Sequence, residues 1–287
     1  MQKLNDLEKE ELAMATLVGL TGVFEGIASM RIAQIRNQVL QSTEFFRELW
    51  RIYTQLRVDN SFHYGRSKTD IKVINKELYI IITGEGGFSG DIDQRLVDFM
   101  KKSYDLSRND IDIIVIGHHG AMQLAQHGIP FKKYFKLPTK DRDINATPIA
   151  EEVRRYRTTQ VFYQEYVSLM DQQVRKIAIS AAVQELGKNT LKTDEIITDQ
   201  TYIFEPSTFS VVEHLENTML QISLAQLILE SKLAQYASRF RAMTAAHQKS
   251  EESRADIHLA FNRAKRAVKD ERLKEIVNGL RKSTVPL

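Results

Sequence analysis

Two glycine-containing segments are the places where this sequence could do chemistry. The first, Gly84-Glu-Gly-Gly-Phe-Ser-Gly90, follows an apolar run rich in β-branched residues, where a phosphate-binding loop lies in nucleotide-binding folds. No Gly-Lys-Ser/Thr follows it, and its spacing does not fit the dinucleotide fingerprint. The alternative interpretation is a tight turn that is exposed for contact with a partner. Ser89 does not lie in a nucleophile-elbow sequence.

The second segment, Gly117-His-His-Gly120, follows another apolar run and could hold a metal ion through its imidazoles. Adjacent side chains diverge, however, and no carboxylate lies nearby at ligand spacing. The chain also has no cysteine, which excludes disulfides, thiolate metal ligands and cysteine nucleophiles. The sequence therefore predicts no catalytic residues, no bound cofactor and no metal site.

The elements that position these segments resemble those of a parallel sheet. Leu78–Thr83 and Ile111–Ile116 are β-branched runs that each end at a glycine, and Asp91–Ser103 between them has helical character. Apolar strands alternating with helices are typical of a parallel sheet that is covered on both faces. The prediction is a Rossmann-like α/β domain, completed by a helix over 149–186 and a strand over 201–204.

Long helices are predicted on either side of this domain. Ser207–Asn278 contains 72 residues without glycine or proline, and the first 58 residues contain no proline and three glycines, Gly19, Gly22 and Gly26. At ~1.5 Å per residue such helices extend on the order of 85 Å and 105 Å. Apolar residues recur in both at helical spacing, so each stripe is expected to pack on the other helix. The glycines would allow close approach of the two backbones or, alternatively, kink the first helix.

The predicted architecture is therefore α/β, with a long antiparallel two-helix coiled coil and an inserted Rossmann-like domain. Its predicted parts are an N-terminal helix over 1–60, the α/β domain over 61–206, with Pro206 opening the last helix, and a C-terminal helix over 207–287. The 40 basic and 37 acidic residues leave a net charge of +3, too weak to favour nucleic acid as a partner. No run of about 18 apolar residues predicts a transmembrane segment, so attachment to a membrane would go through partners.

Charged residues recur along the C-terminal helix, and they have two interpretations. The residues are Arg239, Arg241, Arg263, Lys265, Arg266 and Lys269. They form either a solvated helix face or a set of contacts that attract a surrounding partner at some rotation angles and release it at others. Exposed ion pairs, which contribute well under ~1 kcal/mol each, suit repeated breaking.

The C-terminal helix also carries the most specific similarity to a known family. Ala242-Met-Thr-Ala-Ala246, Phe261-Asn-Arg-Ala-Lys265 and Glu271-Arg-Leu-Lys-Glu-Ile-Val-Asn-Gly279 follow one another in register. They resemble the C-terminal signature of the gamma subunit of F-type ATP synthases. Weaker similarities cover the rest of the chain in the same order, at Phe24-Glu25, Ile27-Ala-Ser-Met-Arg31, the segment from Gly84 to Gly90, Ile114-Val-Ile-Gly117 and Tyr202-Ile-Phe-Glu-Pro206.

The resemblance implies a mechanical function. The two helices would form an axle inside a ring of three alpha and three beta subunits, and the α/β domain would form a foot that rests on the membrane c-ring beside the epsilon subunit. Rotation would couple ion flow to ATP synthesis or hydrolysis at the beta subunits. The chain would then be a peripheral protein on the cytoplasmic face of a bacterial cell membrane rather than in an organelle, with no catalytic site of its own.

The resemblance also implies contact residues. Those toward the catalytic ring are Phe24, Met30, Arg31, Arg239, Met243, Lys265, Arg266 and Asp270, and those of the foot are Gly84, Gly86, Gly87 and Phe88. The family commonly has Arg, Gln and Thr where this chain has Lys265, Arg266 and Asp270. Its Lys-Ile-Thr-Lys-Ala-Met is Gly19-Leu-Thr-Gly-Val-Phe24 here.

Because of these departures, the rotor of a related ATPase with another role is an alternative. A static coiled-coil scaffold is a second alternative, and a small-molecule enzyme built on the Gly84 segment is a third.

Overall fold

The computed structural model describes residues 2–56, 73–104, 110–138, 140–187, 204–205 and 207–283. The predicted terminal helices are α1, Gln2–Gln55, and α6, Thr208–Ser283, with 54 and 76 residues. The chain divides into two compact units. The helix-pair unit consists of Met1–Ile27 and Phe240–Leu287, and the α/β unit of Ala28–Arg239.

The α/β unit contains a five-stranded sheet in the order β3-β2-β1-β4-β5, in which the first four strands are parallel and β5 is antiparallel to β4. The strands are β1 Ile74–Ile82, β2 Ile111–Ile116, β3 Lys133–Phe135, β4 Tyr156–Tyr166 and β5 Gln172–Ala178. The shorter helices are α2 Ile92–Ser103, α3 His118–Gln126, α4 Thr147–Val153 and α5 Ile179–Gly187, with a 3-10 turn at Asp141–Asp143.

Both faces of the sheet are covered, as the apolar strands predict. Leu78, Ile80 and Ile82 of β1 point to one face and pack in a buried cluster with residues of α4, α5 and α6. Tyr79 and Ile81 point to the other face and pack with residues of α2 and α3. The alternation places α6 directly on the sheet, so the C-terminal helix contributes to the core of the α/β unit.

The predicted helix over 149–186 is wrong. That range contains the end of α4, the strands β4 and β5, and most of α5. The run Tyr156–Tyr166 is rich in Thr, Val, Phe and Tyr, which suit a strand, and it pairs with β1 inside the sheet. Of the predicted strand over 201–204, only Phe204 is described, and it is not in a strand. Pro206 and the predicted boundary at residues 60 and 61 lie outside the described residues.

In the α/β unit, α1 and α6 pack antiparallel. Phe46 and Tyr53 of α1 share a buried cluster with Leu215 and Met219 of α6. The Tyr53 hydroxyl donates to Glu216 Oε1 at 2.9 Å. Closer to the start of the unit, Ile35 packs with residues further along α6, Leu229 and Leu233. The numbering therefore runs in opposite directions along the two helices.

In the helix-pair unit, α1 and α6 meet along a seam with heptad spacing. Partly buried residues of α1 that follow this spacing are Leu4, Leu7, Glu11, Met14, Val18, Thr21 and Glu25. Thr21 Oγ1 lies 3.1 Å from His247 Nδ1, and Thr244 Oγ1 donates to Glu25 Oε1 at 2.8 Å. His258 Nδ1 lies 2.7 Å from Glu11 Oε1. The antiparallel pairing thus combines these polar contacts with partly buried apolar side chains.

One expectation about the helix-pair unit is wrong. The apolar residues Leu12, Leu20 and Ile27 were expected to pack on the other helix, but they are exposed, as are Leu273, Ile276 and Leu280 of α6. Helical spacing identified two stripes, but it did not say which face of each helix turns toward its partner. Of the three glycines, Gly22 faces α6, with a Cβ position 3.5 Å from the His247 ring, whereas Gly19 and Gly26 face no atom within 4 Å.

Candidate partner-binding surface

The segment from Gly84 to Gly90 forms the loop between β1 and α2. Gly84 is buried, its N–H donates to Asp93 Oδ1 at 3.1 Å, and its carbonyl accepts the His119 N–H at 3.0 Å. An anion-binding loop needs free N–H groups and a positive potential. Here a carboxylate takes the first amide and would repel a phosphate, so this arrangement favours contact with another macromolecule over nucleotide binding.

Phe88 is the most exposed side chain of this loop. It is 62% exposed and has φ of 66°, the one positive φ among the non-glycine residues that the structure describes. A left-handed backbone is costly for an aromatic residue, and such strain is found where a side chain is held for a purpose. Gly86 and Gly87 are exposed beside it. The loop therefore presents an aromatic ring directly after two residues without side chains.

Arg239 of α6 donates hydrogen bonds to this loop. Its Nε donates to the Gly87 carbonyl at 3.1 Å, and its Nη2 donates to the Gly86 carbonyl at 3.1 Å. The neighbouring Ser238 hydroxyl donates to the Ser89 carbonyl at 2.7 Å. The structure thus joins Arg239, expected at the catalytic ring, with two residues expected at the foot. The Arg239 guanidinium fixes the loop.

A buried polar network continues from the loop to the sheet and to α6. Asp93, at the start of α2, accepts a 2.9 Å hydrogen bond from the amide of Gln164 in β4. The carbonyl of that amide accepts from Ser231 and, at 3.2 Å, from Gln235, both in α6. Buried polar groups are stable only when paired, so the network fixes the position of α6 on the sheet. Nothing in the spacing of these residues along the chain indicated it.

The two histidines that were considered as a possible metal site lie in different environments. His118 is exposed, whereas His119 Nδ1 lies 3.0 Å from Asp93 Oδ2. The hydrogen bond to Asp93 raises the pKa of His119, although partial burial opposes this. Within the described residues no group of three or more His, Cys, Asp or Glu side chains is placed to hold a metal ion.

Arg31 lies in an ion-pair cluster of the α/β unit. Its guanidinium is 3.4 Å from Asp141 Oδ2, and Lys232 of α6 is 2.5 Å from the other oxygen of the same buried carboxylate. Lys232 was missed because a single lysine in a helix gives no sequence signal. Of the other predicted contacts on α1, Met30 is exposed and Phe24 is half-buried.

The remaining predicted contacts lie on α6 in the helix-pair unit. Lys265, Arg266 and Asp270 are exposed, and Lys265 Nζ lies 5.6 Å from the centroid of the Phe261 ring. Met243 is only 8% exposed. The three charged residues are therefore accessible to a partner, whereas Met243 belongs to the interior of this unit.

Comparison with known proteins identifies the family. A family model described as ATP synthase matches residues 6–281. The chain belongs to the ATP synthase gamma family. Relatives named ATP synthase gamma chain include those of Mycoplasmoides gallisepticum, 20% identical with 98% of this chain and 100% of the relative covered, and of Clostridium botulinum, 23% identical with 91% of each covered.

Chains in solved structures of ATP synthases have the same fold. A chain of the Euglena gracilis mitochondrial ATP synthase, in a structure of OSCP, F1 and c-ring, aligns with a TM-score of 0.64 at 14% identity, covering 100% of this chain and 97% of that one. A chain of the Tetrahymena thermophila central stalk and c-ring aligns with a TM-score of 0.57 at 17% identity, covering 79% and 99%. The predicted family and fold class are confirmed.

Proposed function

We propose that this chain is the central-stalk rotor of an F-type ATP synthase, a non-catalytic subunit that couples ion flow to ATP synthesis or hydrolysis by rotating. The antiparallel pairing of α1 with α6 in the helix-pair unit carries the proposal, because two paired helices with different side chains form an asymmetric element. An asymmetric element contacts identical partners differently at each angle, and only differential contacts can shift their conformations.

The proposed partners are three alpha and three beta subunits around the helix pair, with the epsilon subunit and the membrane c-ring at the foot. Lys265, Arg266 and Asp270 are assigned to the catalytic ring because they are exposed. Exposed ion pairs are weak and can break and reform on each turn. The chain would be peripheral, on the cytoplasmic face of a bacterial membrane, and the transported ion would be a proton or sodium.

The foot contacts are assigned to Gly86, Gly87 and Phe88, the exposed residues of the loop that Arg239 fixes. Gly84 is assigned to supporting the loop because it is buried. Arg31 is assigned a structural role within the α/β unit, through its ion pair with Asp141 of the 3-10 turn.

Co-expression with alpha- and beta-like subunits tests the proposal. We expect one copy of the chain per three alpha-beta pairs by size exclusion and mass measurement, and ATP hydrolysis that depends on the chain. Neutralising Lys265, Arg266 and Asp270 together to alanine should lower turnover, whereas Lys102→Ala on α2 is the control and should not. A chain that elutes alone, or adds mass without changing turnover, would favour a static scaffold.

A further inference from the structure

A cavity of about 370 Å³ lies at the carboxyl ends of β2 and β3 in the α/β unit. Ile116, the last residue of β2, and Phe135, the last residue of β3, both line it. The segment between β3 and α4, the start of α4 and Ile228 of α6 form the other walls. In α/β sheets of this kind, ligands bind outside the carboxyl ends of the strands. The cavity therefore lies at the edge of the sheet where a ligand is expected.

The crevice that most often binds ligands in such a sheet is closed in this chain. It lies where the strand order reverses, here between β1 and β4. The Ser231 hydroxyl of α6 donates to the side-chain carbonyl of Gln164 in β4 and lies 3.4 Å from the Ile82 carbonyl of β1. Gln235, one turn later, donates to Gln164 at 3.2 Å. Side chains of α6 thus fill this crevice, and the cavity at β2 and β3 lies beside it.

The floor of the cavity is apolar. It consists of Ile116, Ile149 and Ile228, which are each at most 4% exposed, and we call it the isoleucine floor. Small-molecule sites commonly have an apolar floor with a few polar groups around it, and they measure about 300 to 1,000 Å³. At about 30 Å³ for each non-hydrogen atom, this cavity holds a molecule of about twelve such atoms.

The wall between β3 and α4 is fixed by polar contacts. The Leu137 N–H donates to Glu85 Oε1 at 2.7 Å, and Lys232 Nζ donates to the Pro138 carbonyl at 3.3 Å. The same ammonium group lies 2.5 Å from the buried carboxylate of Asp141. The wall cannot close onto the isoleucine floor without breaking these contacts. The cavity is therefore formed before a ligand binds, which lowers the entropy lost on binding.

The rim of the cavity favours a ligand with one acidic group. Lys136 is exposed at the rim, and Lys140 is exposed in the same segment. Asn145 Oδ1 accepts the Thr147 N–H at 3.0 Å, which leaves the Asn145 amide N–H groups as the donors for a ligand. Among the described lining residues, Asp143 is the one carboxylate. An ammonium group and an amide N–H both donate to a carboxylate, whereas Asp143 disfavours a second negative charge.

We propose that this cavity binds a small monocarboxylate with a compact apolar body. The apolar body packs on the isoleucine floor, and the carboxylate accepts hydrogen bonds from Lys136 and from the Asn145 amide. Arylalkanoates and medium-chain fatty acids share this chemistry. The inference is independent of the rotor function, because every residue that it uses lies in the α/β unit.

The test titrates the full chain with two probes that have the same apolar body, phenylbutyrate and its neutral amide, phenylbutanamide. Binding is followed by NMR through the backbone amides and the Asn145 side-chain amide. We expect saturable binding of phenylbutyrate that shifts the Asn145 side-chain signals. The neutral probe should bind about fivefold more weakly, which corresponds to the loss of one exposed charge contact. Decanoate, as a third probe, shows whether an acyl chain or an aryl group fits the cavity better.

Two variants locate the binding. Lys136→Met keeps most of the side-chain length but removes the charge, so it should weaken phenylbutyrate binding about fivefold and leave phenylbutanamide binding unchanged. Lys102→Met, at an exposed position of α2, is the matched control and should change neither. Ile144→Phe, at the partly buried Ile144 of the wall, should fill part of the cavity and weaken binding of both probes tenfold or more. Circular dichroism establishes that each variant is folded.

Equal affinities for phenylbutyrate and phenylbutanamide, or an unchanged affinity in Lys136→Met, would overturn the assignment to a carboxylate. Shifts that do not saturate, or undiminished binding by a folded Ile144→Phe variant, would overturn the cavity as a binding site. Because Lys136→Met changes an exposed side chain, its result decides the proposal even where Ile144→Phe does not fold. None of these results bears on assembly with alpha- and beta-like subunits, so the rotor function is tested separately.

Discussion

The α/β unit and the helix-pair unit use their apolar residues in opposite ways. The described residues of the α/β unit form four buried apolar clusters, and α1 and α6 contribute to several of them. In the described part of the helix-pair unit, Met243 is the one apolar side chain larger than alanine that is less than a tenth exposed. The α/β unit therefore supplies its own core, whereas the helix-pair unit leaves apolar side chains exposed.

Their polar groups differ as well. In the α/β unit, Asp93, Gln164 and Asp141 are buried and have partners within the unit. In the helix-pair unit, His247 and Glu25 lie at the seam and are only partly covered. Buried polar groups impose strict geometry, whereas half-exposed ones tolerate change. Substitutions should therefore be costly in the first unit and mild in the second.

The largest effect should come from Gly117→Ala, just after β2. Gly117 has φ of +98°, and a Cβ there would lie 2.1 Å from the Thr83 carbonyl oxygen. Strain and clash together should cost about 4 kcal/mol or more of unfolding free energy. Denaturant titration followed through Trp50, the single tryptophan, would measure this loss in the α/β unit.

Gly128→Ala is the control for Gly117→Ala. Gly128 also has positive φ, +66°, but nothing lies within 4 Å of its Cβ position. It should therefore cost only about 1 kcal/mol, the backbone strain alone. Equal effects of the two substitutions would mean that the Thr83 contact is unimportant and that the sheet edge can relax.

Truncating one core residue in each unit compares the units directly. Phe162 is fully buried in β4, with its ring centroid 5.0 Å from that of Tyr79. Phe162→Ala should cost about 3 to 4 kcal/mol, and Met243→Ala about 1 to 2 kcal/mol, because the neighbours of Met243 on α6 are only partly buried. Thermal unfolding by circular dichroism would measure both. A greater loss for Met243 would contradict the contrast between the units.

Rising pH should destabilise the α/β unit through Glu230. Burial, reinforced by Glu165, raises the pKa of Glu230 to about 7 from 4.5. Since this pKa is above the unfolded value, the stabilising contribution is complete below pH 4.5 and is lost as pH rises toward 7. Between pH 5 and 8, the unfolding free energy of the wild type should fall by about 2 kcal/mol more than that of the Glu230→Gln variant.

Urea titrations at several pH values would measure the Glu230 effect, with the exposed Glu151→Gln as the control. The raised pKa of His119 acts in the same direction, because its stabilisation is also lost as pH rises above 6.5. In the Glu230→Gln variant, the His119 contribution should remain as a smaller decrease of the unfolding free energy with rising pH. A variant as pH-dependent as the wild type would contradict the assignment to Glu230.

The smallest effect on stability should come from Lys265→Gln and Arg266→Gln. Both side chains are exposed on α6, so unfolding free energies should change by less than about 0.5 kcal/mol. The same variants should change ATP hydrolysis of the assembled complex if the proposed ring contacts are correct. Unchanged turnover with unchanged stability would show that these charges form a solvated face.

Much of this protein follows from its sequence. The long stretches without proline predicted α1 and α6, the runs at Leu78 and Ile111 predicted β1 and β2, and the motifs from Met243 to Gly279 predicted the family. These features are local, because helix continuity, strand propensity and motif spacing depend on neighbours in the chain. The predicted contact residues at the catalytic ring and the foot stay predictions.

Only the tertiary structure decided three other features. It showed β4 and β5 in place of a helix, because their residues pair with strands distant in sequence. It joined Arg239 to the loop of Gly86 and Gly87. It also turned Leu20 outward and Thr21 toward His247. Periodicity can mark the faces of a helix, but the free energy of packing against distant residues chooses which face is buried.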